Sequence, residues 1–155
     1  YCMLHGIKQT DRDLLRPIQK YGCLFLCFAQ ASPMIFAGEE GRKALNALWK
    51  EAEERGYISG DLNKDGDYDD IGEAEVKNHN GLCKLFALSC HYDDKHHDPS
   101  EKIPDNVKHI FGCYVWKGTH FVNLNKRLEV TNDSMGYSNT VLNGVLKSTR
   151  WYYAD

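Results

Sequence analysis

Gln19-Lys20-Tyr21-Gly22-Cys23-Leu24-Phe25-Leu26-Cys27-Phe28 sets a glutamine four residues before a cysteine, with a glycine directly ahead of the thiol and an apolar run behind it. Glycine tolerates the backbone angles of a sharp entry into a helix. The run beyond it, continuing through Ala29, Ala31, Met34, Ile35 and Phe36, is apolar enough to predict a buried element, most simply a helix. Cys23 then stands at a helix N-terminus, where the dipole and free N–H groups favour negative charge. Reactive cysteines and inert buried ones are both built this way, so partners elsewhere in the chain decide between them.

The bulk numbers narrow the field. A chain of 155 residues is one domain of ordinary size, long enough to bury a core. Nineteen Lys and Arg against 22 Asp and Glu leave a net charge of −3, which gives no footing for a nucleic-acid or anionic-membrane partner. No apolar run approaches the roughly 18 residues of a membrane span. No signal peptide is visible, although a chain beginning at Tyr1 is compatible with a trimmed leader. The six cysteines, at 2, 23, 27, 83, 90 and 113, are scattered through apolar segments. They read mostly as reduced core residues, which points to a reducing, cytoplasmic compartment.

Outward from Cys23, residues 1–18 are mixed and predict an irregular arm, with a helical turn at Thr10–Leu15 and Pro17 limiting any helix. The helix at Gly22 or Cys23 runs to about Ala31, and Ser32-Pro33 marks a break. Glu39–Arg55 is amphipathic, with Leu45, Leu48, Trp49 and Ala52 on one stripe and Gly56 behind it. A further helix is expected over Gly81–Cys90, then a polar loop over His91–Asp105 carrying Pro99 and Pro104. After it the period changes to two. Phe111–Trp116, His120–Asn125 and Leu128–Thr131 predict strands, with Trp151–Tyr153 closing the sheet. Helices first and an antiparallel sheet second make the class α+β, in a single domain over 1–155.

A thiol catalyst needs a base for its proton and a group to orient that base. His120 opens a predicted strand, and alternation puts it on the face of Val122 and Leu124. A three-residue turn at Asn125–Arg127 pairs Leu124 with Leu128, Val122 with Val130 and His120 with Asn132. A turn of another length, or a bulge, brings Asp133 opposite His120 instead. Either side chain accepts an imidazole N–H. Gln19 is the candidate amide donor to an oxyanion, beside the Cys23 backbone N–H.

The order Gln19, Gly22-Cys23, Gly118-Thr119-His120-Phe121-Val122 and Asn132-Asp133-Ser134 resembles papain-like cysteine peptidases. It is most similar to the compact bacterial branch that includes bacteriocin-leader-processing peptidases. The resemblance implies N-terminal helices packed on a C-terminal antiparallel sheet, and a Cys-His-Asn/Asp hydrolase acting on a peptide or protein substrate. By the family's pattern Asp133 is the orienting residue, whereas strand parity favours Asn132. Leu24 stands where family members carry glycine, and Ser134 where they carry proline. Papain-like folds also host inactive relatives, so a binding module without turnover is the alternative.

Asp61-Leu62-Asn63-Lys64-Asp65-Gly66-Asp67-Tyr68-Asp69-Asp70 is a second motif. Oxygen side chains at loop positions 1, 3, 5 and 9, with Gly66 at position 6, have the spacing of a calcium loop. Asp61, Asn63, Asp65, Asp67 (through its carbonyl) and Asp69 are the expected ligands of a structural calcium ion, in an insertion near 61–73. The stretch resembles EF-hand and dockerin-like loops, but Gly72 occupies position 12 and Glu73 lies one place late. A calcium loop points to an extracellular setting, against the direction of the cysteines. A zinc site from Cys90, His91, His96 and His97 is disfavoured, because no second Cys pair has metal spacing.

Overall fold

Gly22 divides two helices. In the computed structural model, which describes residues 4–67, 73–136 and 138–155, α1 spans Arg16–Tyr21 and α2 spans Cys23–Ala31. Pro17 lies in the first turn of α1, where its missing N–H costs no intrahelical bond. The expectation of an irregular arm through Ile18 is therefore corrected, since the proline starts a helix instead of limiting one. Gly22 has φ −85° and ψ 12°, angles open to any residue. Glycine is needed there for space: a Cβ would lie 2.6 Å from the Ile18 carbonyl oxygen and 2.7 Å from its Cα. Gly22→Ala forces the two helices apart and is expected to cost about 1–3 kcal/mol in urea unfolding.

Along α2, Phe25, Leu26, Cys27, Phe28 and Ala29 are buried. Burial does not continue through Met34 and Ile35, which are 36% and 67% exposed. The helix ends at Ala31 because Ser32, ahead of Pro33, is extended and turns the chain outward. Ser32 Oγ donates to the Phe86 carbonyl at 2.5 Å, and Phe36 re-enters the core. Helix α3, Gly38–Glu54, buries Leu45, Trp49 and Ala52 as its stripe predicts. Helix α4 covers His79–Leu85, capped by the Asn78 side chain on the Gly81 N–H at 2.8 Å. It stops well short of Cys90, because Phe86 caps it and Ala87 takes φ +57°. Cys90 opens a strand instead: β1, Cys90–Tyr92.

The remaining elements are β2 (Val107–Val115), β3 (Thr119–Leu124), β4 (Val130–Asn132), α5 (Asn139–Asn143) and β5 (Val145–Ala154). They form a five-stranded antiparallel sheet in the order β1-β5-β2-β3-β4. The chain is α+β. Strand β5 is far longer than the three residues expected, because its first half carries Lys147, Ser148, Thr149 and Arg150 and shows little apolar alternation.

Register separates the two sheet faces. Phe111 pairs with Asn123 and Arg150, whereas Ile110 pairs with Leu124 and Trp151. The first set faces the helices, and Asn123 Nδ2 donates to the Cys27 carbonyl at 3.0 Å. The second set joins Val107 and Val122 in a smaller cluster on the far face. Phe28 centres the larger core, its ring 5.1 Å from Phe111 and 5.3 Å from Tyr152. Those contacts hold α2 on the sheet and fix where Cys23 points. Among the described residues, no helix is long and apolar enough to cross a membrane.

Candidate active site

Cys23 is the first residue of α2 and half-buried. The other described cysteines, Cys27, Cys83, Cys90 and Cys113, are buried and free, and Cys2 lies outside the described residues. Strand β3 brings His120 beside Cys23, near enough for the thiol to act on the imidazole's charge. The Nε2 of His120 meets Asp133 Oδ1 at 2.6 Å, which leaves Nδ1 as the ring nitrogen for the sulfur.

The partner of His120 follows from the β3–β4 connection. The turn closes with the Asn125 N–H on the Glu129 carbonyl at 3.0 Å, around Leu128 at φ +62°. The three residues enclosed are Lys126–Leu128, one place later than expected, so Leu124 pairs with Val130 and, past a bulge, Asn123 with Asn132. Strand β4 ends at Asn132, so Asn132 does not face His120, and the next residue, Asp133, turns toward the imidazole. Asp133 is held on every side. Its Oδ1 also accepts the Met135 N–H at 2.9 Å, while Oδ2 accepts the Ser138 N–H at 3.2 Å and the Ser138 hydroxyl at 2.8 Å.

Gln19 lies one turn before Cys23, but its amide points elsewhere. Nε2 donates to the Leu14 carbonyl at 2.6 Å and lies 3.5 Å from that of Arg12. An oxyanion role requires the amide to leave those carbonyls. Gln9 and Ser138 are supporting residues that sequence reasoning missed. Buried Gln9 accepts the Ser134 hydroxyl at 2.9 Å and donates to the Gln19 carbonyl at 3.2 Å, tying the arm to the turn after Asp133. Ser138 also caps α5 on the Val141 N–H, and a serine three residues before Val141 was a readable signal.

Burial disfavours the imidazolium of His120, but the Asp133 hydrogen bond and the interaction with Cys23 outweigh it and raise its pKa to about 9. Asp133 is likewise penalised by burial, yet its donors, His120 first, hold it below the usual carboxylate value. The folded-state pKa of His120 exceeds the unfolded value of 6.5. Its contribution to stability is therefore complete below 6.5 and lost as pH rises through 9. Asp133 works the other way and loses its share as pH falls through its depressed value. Urea unfolding between pH 6.5 and 9.5 is expected to show a decline of up to about 3 kcal/mol, absent in His120→Gln.

Beside Cys23 opens a cleft of about 530 Å³, lined by Leu24, His79, His96, Phe121 and Arg150 among others. Leu24 therefore walls the cleft without closing it. His79 hydrogen-bonds the Tyr152 hydroxyl through Nδ1 at 2.8 Å, and burial followed by the Arg150 charge hold its pKa at about 4.

Of the five predicted calcium ligands, Asp61, Asn63, Asp65 and Asp67 are described, and Asp69 lies outside the described residues. Side chains of this loop curl onto its own backbone. Asp61 Oδ2 accepts the Gly66 N–H at 2.6 Å, Asn63 Oδ1 the Asp65 N–H at 3.3 Å, and Asp65 Oδ1 the Asp67 N–H at 2.8 Å. Glu73, one place past loop position 12, accepts the Leu62 N–H at 2.6 Å and closes the loop from its far end. Asp61 Oδ1 is buried and has no hydrogen-bond partner among the described residues. Among the described residues no three His, Cys, Asp or Glu side chains converge as a metal-holding group. For the zinc alternative, both His97 nitrogens are occupied, by Asp93 at 2.6 Å and Glu101 at 3.1 Å.

No protein-family model, curated protein or solved structure matches this chain.

Proposed function

We propose that this chain is a papain-like thiol hydrolase that cleaves a peptide or amide bond. One observation carries the reading: His120 stands between Cys23 and Asp133, bonded to that carboxylate at 2.6 Å, with Cys23 opening onto a cleft. With the thiol proton on His120, the Cys23 sulfur attacks the substrate carbonyl carbon. The C–N bond then breaks as His120 passes that proton to the leaving amine, giving a thioester on Cys23. Water attacks the thioester carbon as His120 takes its proton; the C–S bond then breaks, the acid product leaves, and His120 returns the proton to the Cys23 sulfur. Asp133 holds the imidazole with Nδ1 toward sulfur and stabilises its charged form.

The test is incubation of a defined peptide library with the reduced protein, reading new termini by mass spectrometry. Termini formed by the parent and absent with Cys23→Ala support the proposal, and identical termini from both defeat it. The competing reading, a binding module without turnover, is favoured by one feature: the Gln19 amide is engaged by the Leu14 carbonyl.

The loop at 61–73 is proposed to hold a structural calcium ion through Asp61, Asn63, Asp65, Asp67 and Asp69. Its support is the donor chemistry, all oxygen at the spacing such a loop uses, and the buried Asp61 Oδ1, which has no hydrogen-bond partner among the described residues. The ion's part is to neutralise the carboxylates and hold the loop to the body. Calcium at about 100 times its dissociation constant is expected to stabilise the protein by about 2.7 kcal/mol. A calorimetric and melting-temperature titration with Asp65→Ala as control checks this, and neither heat nor shift at millimolar calcium rejects it.

A further inference from the structure

Arg150 is a buried cation in the wall of the reactive cleft. It sits in β5, paired with Phe111, and is only 7% exposed. Its guanidinium donates from Nη1 to Ser148 Oγ at 2.7 Å and lies over the Phe121 ring at 5.3 Å. No carboxylate among the described residues forms an ion pair with it. Glu75, which lines the same cleft, pairs with Lys77 at 2.9 Å instead. A guanidinium carries five N–H donors in a planar fork, and burying one without a counter-charge is costly. Retaining such a group against an open cavity makes chemical sense when an anion from outside completes it, and carboxylate suits the fork bidentately.

The same charge is felt by its neighbours. Burial first, then Arg150, hold both His79 and His96 below the ordinary imidazole value, so these walls of the cleft are neutral near pH 7. Arg150 thus stands beside two neutral imidazoles and the Phe121 ring in the cavity that Cys23 opens onto, whose rim also carries Lys20 and the Lys77-paired Glu75.

From this geometry we infer that Arg150 is a specificity residue, receiving a substrate carboxylate in the cleft beside Cys23 and selecting acidic peptides over neutral ones. The inference rests on the thiol-hydrolase reading for what becomes of the bound peptide, but binding itself needs no turnover. Two sources supply the chemistry: an acidic side chain near the scissile bond, or the free α-carboxylate of a peptide.

Binding is therefore measured on Cys23→Ala, by calorimetry with capped peptides. Acetyl-Ala-Glu-Ala-amide against acetyl-Ala-Gln-Ala-amide tests the side chain, and acetyl-Ala-Ala-Ala as free acid against its amide tests the terminus. At least about a tenfold preference for the charged member is expected in one of the two pairs. The preference should vanish in Cys23→Ala/Arg150→Gln and survive, weakened, in Cys23→Ala/Arg150→Lys, which keeps the charge should the neutral variant not fold. Equal affinities within both pairs overturn the inference, as does a preference that persists without the Arg150 charge. Failure of the hydrolase reading shows separately, as a parent protein whose library termini match those of Cys23→Ala.

Discussion

His120→Gln is expected to slow Cys23-dependent cleavage by about 10²- to 10⁴-fold, the usual worth of a positioned acid–base group. Glutamine is the informative replacement. Its amide N–H can still reach Asp133, so the carboxylate keeps a donor in addition to Met135 and Ser138. What it cannot do is carry a proton between Cys23 and the leaving amine. In the parent, His120 is charged up to about pH 9 because the Asp133 and Cys23 interactions overcome burial. Cleavage should therefore fall as pH rises through that value, since the acid that protonates the amine is lost. Turnover by the library assay, on whichever peptide the parent cleaves, checks both statements. A His120→Gln rate within about twofold of the parent would remove the imidazole from the reaction.

Phe28→Ala carries the largest expected loss of stability, about 3–5 kcal/mol, or roughly 10 °C or more in melting temperature. Phe28 is fully buried and meets three rings: Phe86 at the cap of α4, Phe111 on β2 and Tyr152 on β5. Two of those neighbours are fixed in strands and the third caps α4, so the cavity left by the ring has little freedom to collapse. The functional consequence follows from position. Phe28 lies on α2 below Cys23, so losing its packing loosens the helix that aims the thiol at His120. Thermal unfolding followed by circular dichroism measures the first effect, and the cleavage rate well below the melting temperature measures the second.

Local pattern made part of this fold legible in the chain. Helix α3 is written in the Leu45, Trp49 and Ala52 stripe, and the β2–β3 hairpin in alternation around Lys117-Gly118. Cys23 and His120 are readable because one opens a helix and the other stands at the start of a strand, one residue after Thr119. Other features depend on contacts distant in sequence. Gly22 is an ordinary residue by its angles, and only the Ile18 backbone beside it shows why a side chain does not fit. Asn132 had the better parity with His120, but parity assumes a regular turn. The closure at Asn125–Glu129 and the bulge that follows leave Asp133 as the residue facing the ring. Strand β5 was visible only at its aromatic end, since Lys147, Ser148 and Arg150 read as surface until β2 is placed beside them. Arg150 was invisible as a site residue for the same reason. Its meaning comes from sharing a cavity with Cys23, which lies 127 positions earlier.

Alkylation of Cys23 by iodoacetamide at pH 7, followed at that residue by peptide mass mapping, tests directly whether Cys23 and His120 act as one unit. The parent is expected to react at least about tenfold faster than His120→Gln, because a cation against the sulfur is what favours its nucleophilic form. Equal rates in the two proteins, at the value of an ordinary free thiol, would show that His120 does not activate Cys23 and would contradict the account.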